Sequence, residues 1–370
     1  MLLILWLVFG FDNVKHFKLE NIKPITNFSV IIPFRNEAKN LPKLLNTISK
    51  LSYPKEYYQF IFVNDDSEDN SVKIIQQVLD TVSQKNEITE TNLKLINNKR
   101  VSNSPKKDAI TTAIEHTKYD WIITTDADCV LPENWLQILN CFIQERNPKM
   151  IVAPVNYQIE NNYLHRFQLL DFMSMQGTTM GGFGIGFPFM CNGANLAYKK
   201  EEFIKLNGFD GNNHIASGDD VFLFEKFLAD DKNAVQFLKS KDTIVTTFPV
   251  NSWSDLINQR VRWAAKTGNF KSIRIKLIGL LVLLVNLSIL VTIFGAIFQF
   301  NSFKTTLLLL VIKFIVDLFL FLPTISFFKQ EKPFLQSYLL SSLVYPFFSV
   351  WVIYKSFFTN YNWKGRSFKK

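Results

Sequence analysis

The stretch that decides the fold is WIITTDADCVLPENW, residues 121–135. It opens on an apolar, β-branched run and breaks into Asp126–Ala127–Asp128. A short apolar run bounded by turn residues predicts a buried strand. Two carboxylates one residue apart at its end suit a hard divalent cation. Mg2+ and Mn2+ prefer oxygen ligands and accept phosphate oxygens beside them, and a departing diphosphate needs that neutralisation. The competing reading is an acidic turn with no ligand. The apolar strand in front favours the metal, with Asp126 and Asp128 as its ligands.

Outward from this point the pattern repeats. Further β-rich runs lie at residues 28–33, 59–64, 93–97 and 150–154, with amphipathic segments at 38–51, 71–82, 106–117 and 133–145 between them. Strands alternating with helices predict an α/β fold with a mostly parallel sheet. In such sheets ligands bind beyond the carboxyl ends of the strands. The first strand runs into IIPFRNEAKNL, residues 31–41, and the second into VNDDSEDNS, residues 63–71. Asp65 and Asp66 sit where a carboxylate can accept hydrogen bonds from a base edge or ribose. Asp69 or Asn70 reads equally as a helix cap.

Lys106 and Lys107 follow Ser104–Pro105 at a predicted helix start. Cations there oppose the helix dipole, so they read either as a phosphate contact or as a solvated basic turn. Residues 217–228, SGDDVFLFEKFL, open another helix on Asp219 and Asp220. Acids at a helix start are stabilising in themselves; the functional reading is a general base that deprotonates an acceptor hydroxyl. QRVRW, residues 259–263, lies in a basic, helix-like segment at 253–276 that suits a membrane surface. Gln259 and Trp263 share a helix face, Arg262 can contact a diphosphate, and Trp263 can stack on a sugar.

Three long apolar stretches follow, at 278–300, 305–328 and 335–358, each long enough to span a bilayer. Lys313 and Asp317 in the middle one are spaced to pair. The apolar run at 1–11 makes a helix of roughly 16 Å, about half of a ~30 Å hydrocarbon core. It reads as a half-inserted anchor or as the remainder of a full span. Three full spans would put the tail, with Lys364, Arg366, Lys369 and Lys370, opposite the catalytic domain. Basic tails favour the cytosolic side, so either one segment is re-entrant or the charge rule fails.

The net charge of +9, from 41 basic and 32 acidic residues, fits anionic headgroups and phosphorylated substrates. No basic repeat, zinc spacing or RNA-binding motif supports a nucleic-acid partner. Three cysteines without metal spacing fit a reducing compartment.

Taken in order, these motifs resemble the family 2 inverting glycosyltransferases, with a GT-A (Rossmann-like, nucleotide-diphospho-sugar transferase) domain. The resemblance covers roughly residues 28–263, and the apolar helices after it fit the membrane-integrated branch. It implies a nucleotide-sugar donor, by that family's usage a UDP-sugar, and Mg2+ or Mn2+. It implies that Pro33, Arg35 and Glu37 lie near the nucleotide and that Asp65 meets the base or ribose; Lys107, from the helix start, is placed with this donor set. Asn64 stands where the family often has a first Asp. Asp126 and Asp128 match the DxD; Asp220 matches the base of a TED-like motif in which Asp219 replaces Glu. Gln259, Arg262 and Trp263 match QxxRW. Asn192, Gly193 and Asn195 fall on the acceptor-side loop.

The expected organisation is an N-terminal anchor at 1–20, a catalytic domain at 25–250, an interfacial helix at 251–277, transmembrane helices at 278–360 and a basic tail at 361–370. The implied setting is the cell (inner) membrane, multi-pass, with the catalytic domain cytosolic. The expected acceptor is a lipid or lipid-linked glycan. A processive polysaccharide synthase is the alternative, and a non-catalytic membrane scaffold or transporter is the rival from another class.

Overall fold

The computed structural model describes residues 1–85 and 92–368. Lys369 and Lys370 of the basic tail lie outside the described residues. The strands are β1 Phe28–Phe34, β2 Tyr58–Asn64, β3 Leu93–Asn97, β4 Trp121–Thr124, β5 Met150–Val152, β6 Val155–Tyr157, β7 Leu196–Lys199, β8 Val235–Phe237, β9 Val245–Thr247, β10 Tyr361–Trp363 and β11 Arg366–Phe368. The helices are α1 Leu2–Asn13, α2 Leu41–Ile48, α3 Ser71–Lys85, α4 Pro105–Ile114, α5 Trp135–Arg146, α6 Tyr163–Gly184, α7 Lys200–Lys205, α8 Val221–Asp231, α9 Trp253–Ala265, α10 Ile273–Ile297, α11 Phe303–Phe328 and α12 Glu331–Phe358.

The chain divides into two compact units. The sheet unit comprises Lys15–Asn156 and Met190–Phe248. Its seven-stranded sheet has the order β3-β2-β1-β4-β7-β5-β8. β1 pairs in parallel with β2 and with β4, β2 with β3, and β5 with β8; β7 runs antiparallel between β4 and β5. The fold is thus the mostly parallel α/β sheet the alternation predicts, of GT-A type, with one reversed strand that the pattern does not announce. Phe28, Val30, Ile31, Ile32, Phe60, Ile61 and Ile122 are fully buried, as strands covered on both faces require. Because β1, β2 and β4 are parallel neighbours, the loops after Phe34, Asn64 and Thr124 emerge at the same end of the sheet.

The helical unit comprises Met1–Val14, Tyr157–Phe189 and Pro249–Lys370. Three of its helices, α10, α11 and α12, are long and apolar enough to cross a membrane. Their bounds begin earlier than the apolar stretches suggest. The segment at 253–276, expected as one helix, is instead α9, a 3-10 turn at Thr267–Asn269 and the first turn of α10. α9 starts on a reciprocal cap: Asp255 N–H donates to Ser252 Oγ at 3.1 Å, and Ser252 Oγ donates back to Asp255 Oδ2 at 2.6 Å. Within α11, Lys313 Nζ and Asp317 Oδ2 pair at 2.5 Å, as their spacing predicts.

α6 lies inside the span expected for the catalytic domain yet groups with the three membrane-length helices. Glycines let it pack closely. A Cβ on Gly181 would strike the Leu7 carbonyl of α1, one on Gly184 the Gly10 carbonyl, and one on Gly177 Oγ1 of Thr324 in α11. Small residues at such crossings permit the backbone approach that holds helices together in lipid.

Candidate active site

The loops after β1 and β2 are stitched to each other. Asn36 N–H donates to Ser67 Oγ at 3.1 Å, Glu68 N–H to Asn36 Oδ1 at 2.8 Å, Glu37 N–H to Ser71 Oγ at 2.7 Å, and Ala38 N–H to Asp69 Oδ2 at 2.9 Å. Asn36 and Asp66 both hold left-handed backbone, the conformation that Asn and Asp tolerate best after Gly. Arg35 is buried as a strut: its guanidinium donates to the Asp65 carbonyl at 3.0 Å, to the Asp66 carbonyl, and to Glu68 Oε1 at 2.7 Å. Glu37 is buried in the same loop, its Oε2 accepting from Asn40 Nδ2 at 2.6 Å. Asp69 caps α3, and burial is outweighed by hydrogen bonds from Ser71 and Ala38, which hold its carboxyl below the usual range.

Asp65 is 4% exposed at the end of β2. Asn98 Nδ2 donates to its Oδ1 at 2.7 Å, and Arg100 Nη1 stands at 3.5 Å. Arg100 is held in turn by Asp108, whose carboxylate also accepts from Val101 and Ser102. Sequence reasoning misses Asn98, Arg100 and Asp108. The signal that could find them is a set of polar residues directly after the third strand, at the same sheet end as Asp65.

Acidic side chains from the loop after β4 and from the start of α8 come together around Lys106. Lys106 Nζ lies 2.6 Å from Asp126 Oδ1 and 3.1 Å from Asp219 Oδ2. Burial alone would lower the lysine pKa, but Asp126, Asp219 and Asp220 outweigh it and hold the ammonium above its usual range. Asp220 caps α8, accepting from Val221 N–H at 2.7 Å and Gly193 N–H at 3.3 Å. Gly218, just before the acid pair, has φ +82°, a left-handed turn that glycine takes without steric cost. A Cβ on Gly193 would lie 3.1 Å from Asp219 Oδ2 and 3.2 Å from Asp220 Cβ. Gly193 therefore keeps the loop backbone against both acids. Thr124 Oγ1 ties it to β4 by donating to its carbonyl at 3.1 Å.

The donor set fits a divalent cation. Asp126 and Asp128 are hard oxygen donors, and the Asp126 side chain is 39% exposed, open to a ligand. The Lys106 ammonium already satisfies Asp126 as a cation would. Cys129 is unsuited: burial first, then Asp128 and Asp126, push its thiol pKa well up, so it stays protonated. Among the described residues no group of three or more His, Cys, Asp or Glu is gathered to hold an ion. Phosphate oxygens and water would complete the shell.

Other expected site residues fall elsewhere. Lys107 is 1% exposed and turns from the carboxylates; its Nζ donates to the carbonyls of Asn212 at 2.6 Å and Ile215 at 3.0 Å. It is Lys106 that reaches the acids. Asn195 is 2% exposed and its amide is committed internally, donating to the carbonyls of Pro154 and Thr243 and accepting from Trp135 Nε1 at 3.0 Å. Asn192 caps the short turn at Gly193 by accepting from Ala194 N–H. Pro33 lies within β1, paired with Val63. Gln259, Arg262 and Trp263 are half-buried on α9, in the helical unit.

The sequence profile of Glycosyl transferase family 2 matches residues 29–205, and that of Glycosyl transferase family group 2 matches residues 121–322. The second spans more than half of the chain, and the protein belongs to the family 2 glycosyltransferases. One similar relative is the poly(ribitol-phosphate) beta-N-acetylglucosaminyltransferase TarS of Staphylococcus aureus, 26% identical over 34% of this chain and 20% of the relative. Another is the poly-beta-1,6-N-acetyl-D-glucosamine synthase of Staphylococcus epidermidis, 22% identical over 65% of this chain and 54% of the relative. The chain thus spans about a fifth and about half of these relatives. Among solved structures, the mannosyltransferase PcManGT from Pyrobaculum calidifontis, in complex with GDP-Man and Mn2+, is 14% identical. The alignment covers 96% of this chain and 94% of that one, with a TM-score of 0.55, and shows a shared fold.

Proposed function

We propose that this glycosyltransferase moves a sugar from a nucleotide-sugar to a hydroxyl of a lipid or lipid-linked acceptor at a membrane, with inversion. The observation that carries the reading is the meeting of Asp126, Lys106 and Asp219 beyond β4, with Asp220 beside them at the start of α8. Asp65 receives the base or ribose. Asp126 and Asp128 would hold Mg2+ or Mn2+, which supplies charge neutralisation for the leaving diphosphate. Lys106 adds a fixed positive charge at the same place.

Asp220 takes the acceptor hydroxyl proton as that oxygen bonds to the anomeric carbon. The bond from the anomeric carbon to the diphosphate breaks with its electron pair going to the diphosphate. One displacement from the far side inverts the anomeric centre. Gln259, Arg262 and Trp263 serve the diphosphate and acceptor ends. The three membrane-length helices support an acceptor held in lipid, with the catalytic side facing the cytosolic nucleotide-sugar supply at the cell membrane.

The test is a nucleotide-sugar panel with the full chain, membrane extract and Mn2+ or Mg2+, followed by lipid mass spectrometry. A single-sugar mass increment on a lipid, lost with EDTA and restored by Mn2+, is the expected result. Metal-independent transfer would remove the role of Asp126 and Asp128. The polysaccharide synthase among the relatives favours a second reading, processive addition. A product ladder would replace the single increment in that case.

A further inference from the structure

By sequence, Arg260 is one more cation of a basic surface helix. In the structure it is 5% exposed. Its Nε donates to Asp171 Oδ2 of α6 at 2.6 Å, and Asp171 is equally buried. Tyr157 and Tyr345 of α12 lie close enough to this pair to act on its charges. Burial alone would lower the guanidinium pKa; Asp171 and Tyr157 raise it instead, so this is a paired charge. A buried ion pair contributes little net stability, because desolvation offsets most of its attraction. Its geometry suggests another use.

The same guanidinium reaches both ends of the QRVRW face. Nη1 donates to Gln259 Oε1. The guanidinium carbon lies 4.1 Å from the centroid of the Trp263 ring, within the range of a cation–π stack. With Oε1 committed, the Gln259 amide is left with its N–H groups to offer, so it acts as a donor toward oxygen-rich ligands such as phosphate or sugar hydroxyls. With Arg260 stacked on it, the Trp263 ring plane is fixed relative to α9. Side chains on a half-buried helix face lose precision without such bracing.

We infer that Arg260, clamped by Asp171, is a positioning residue that sets Gln259 as a hydrogen-bond donor and fixes the Trp263 ring. It acts through these two residues and not by touching the diphosphate, the part given to Arg262. Through Asp171 the clamp ties the QxxRW helix to α6. This inference rests on the proposed transfer function of that helix.

The test uses the full chain in detergent with Arg260→Lys, Asp171→Asn and the double variant. Folding is followed by size-exclusion elution and circular dichroism. Lysine keeps the charge for Asp171 but has no planar fork to hold Gln259 and cover Trp263. Turnover is measured with UDP-GlcNAc and with GDP-Man in Mn2+. A misplacement of about 1 Å costs roughly 100-fold in rate, so kcat should fall about 10- to 100-fold in each single variant. KM for the donor should move less than about threefold, and the double variant should be no worse than the poorer single.

Independently of substrate, the Trp263 emission, taken as wild type minus Trp263→Phe, should shift in Arg260→Lys and Asp171→Asn. An unchanged Trp263 emission overturns the inference, whatever the donor. So does a raised donor KM at unchanged kcat, which would make Arg260 a direct ligand. A shifted emission in a chain that turns over no nucleotide-sugar supports the clamp and overturns instead the proposed function.

Discussion

Nζ of Lys106 stands 2.6 Å from Oδ1 of Asp126, so the first acid of the DAD triplet faces a positive charge supplied by α4. The neighbouring Lys107 has the opposite surroundings, buried under carbonyls and 4.9 Å from the Phe222 ring centroid. Two adjacent lysines thus have separable roles. Lys106→Met should lower turnover at least about 100-fold, as loss of one preorganised charge contact does. It should also tighten donor-free Mn2+ binding, because the ammonium no longer competes for Asp126. Lys107→Met should leave Mn2+ titration unchanged and cost about 1.5–3 kcal/mol of stability, the worth of a charged hydrogen-bonding group. Isothermal titration and thermal melting of both variants separate the two.

Asp220 has one observed task and one proposed task, which substitution can pull apart. As the cap of α8 it accepts from Val221 N–H, a task asparagine performs about as well. As the proposed base it would have no substitute in asparagine. Asp220→Asn should melt within about 2 °C of wild type while kcat falls roughly 100- to 10,000-fold, the usual worth of a general base. Asp220→Ala should lose the same activity and about 1 kcal/mol of stability besides. Wild-type turnover in Asp220→Asn would remove the base from this position.

Much of this architecture is legible in the sequence, and the exceptions have physical causes. FSVIIPF, YQFIFVN and WIIT are apolar runs closed by polar loops, so β1, β2 and β4 read directly, and with β2 and β4 the ends where Asp65 and Asp126 sit. α6 does not, because Gly177, Gly181 and Gly184 depress helix propensity; close packing against α1 and α11 makes the helix instead. β7 is four residues long, too short for its direction to show. Lys106 and Lys107 differ only in which way a helix turn aims them, which depends on a sheet the local sequence does not contain. Arg260 reads as a surface charge because its partner, Asp171, is 89 residues away.

Glu202 gives the sheet unit an acid-sensitive anchor. Its carboxylate meets Lys149 at 2.9 Å and Lys205 at 3.2 Å. The hydrogen bond from Lys149 leads, against a burial penalty, and holds the folded pKa below the ordinary 4.5. A depressed folded value means that this stabilisation is complete above the unfolded pKa and fades as pH falls through the lower folded one. Glu202→Gln should therefore melt below wild type at pH 7, by roughly 2 °C or less because its lysine partners reach solvent. The gap should close between pH 4.5 and more acid conditions. A gap that widened on acidification would reverse the sign of the coupling.

The contact of α1 with α6 depends on glycines that have no room for a methyl group. Gly181 meets the Leu7 carbonyl and Gly184 the Gly10 carbonyl, backbone against backbone, so no side-chain rotation relieves an added Cβ. Gly184→Ala or Gly181→Ala must push α1 away, at the ~1–3 kcal/mol typical of overpacking. Leu7 is 3% exposed in this contact and reports on it. In a Cys191→Ser background, Leu7→Cys should react slowly with a maleimide in detergent. Adding Gly184→Ala should speed that reaction about tenfold, the equivalent of ~1.4 kcal/mol. Gly186 is the contrast: an added Cβ would meet nothing within 4 Å, but φ is +68°. Gly186→Ala therefore strains its own turn and should leave labelling of Leu7→Cys unchanged. Equal labelling in all three backgrounds would mean that the glycines are not what seats α1.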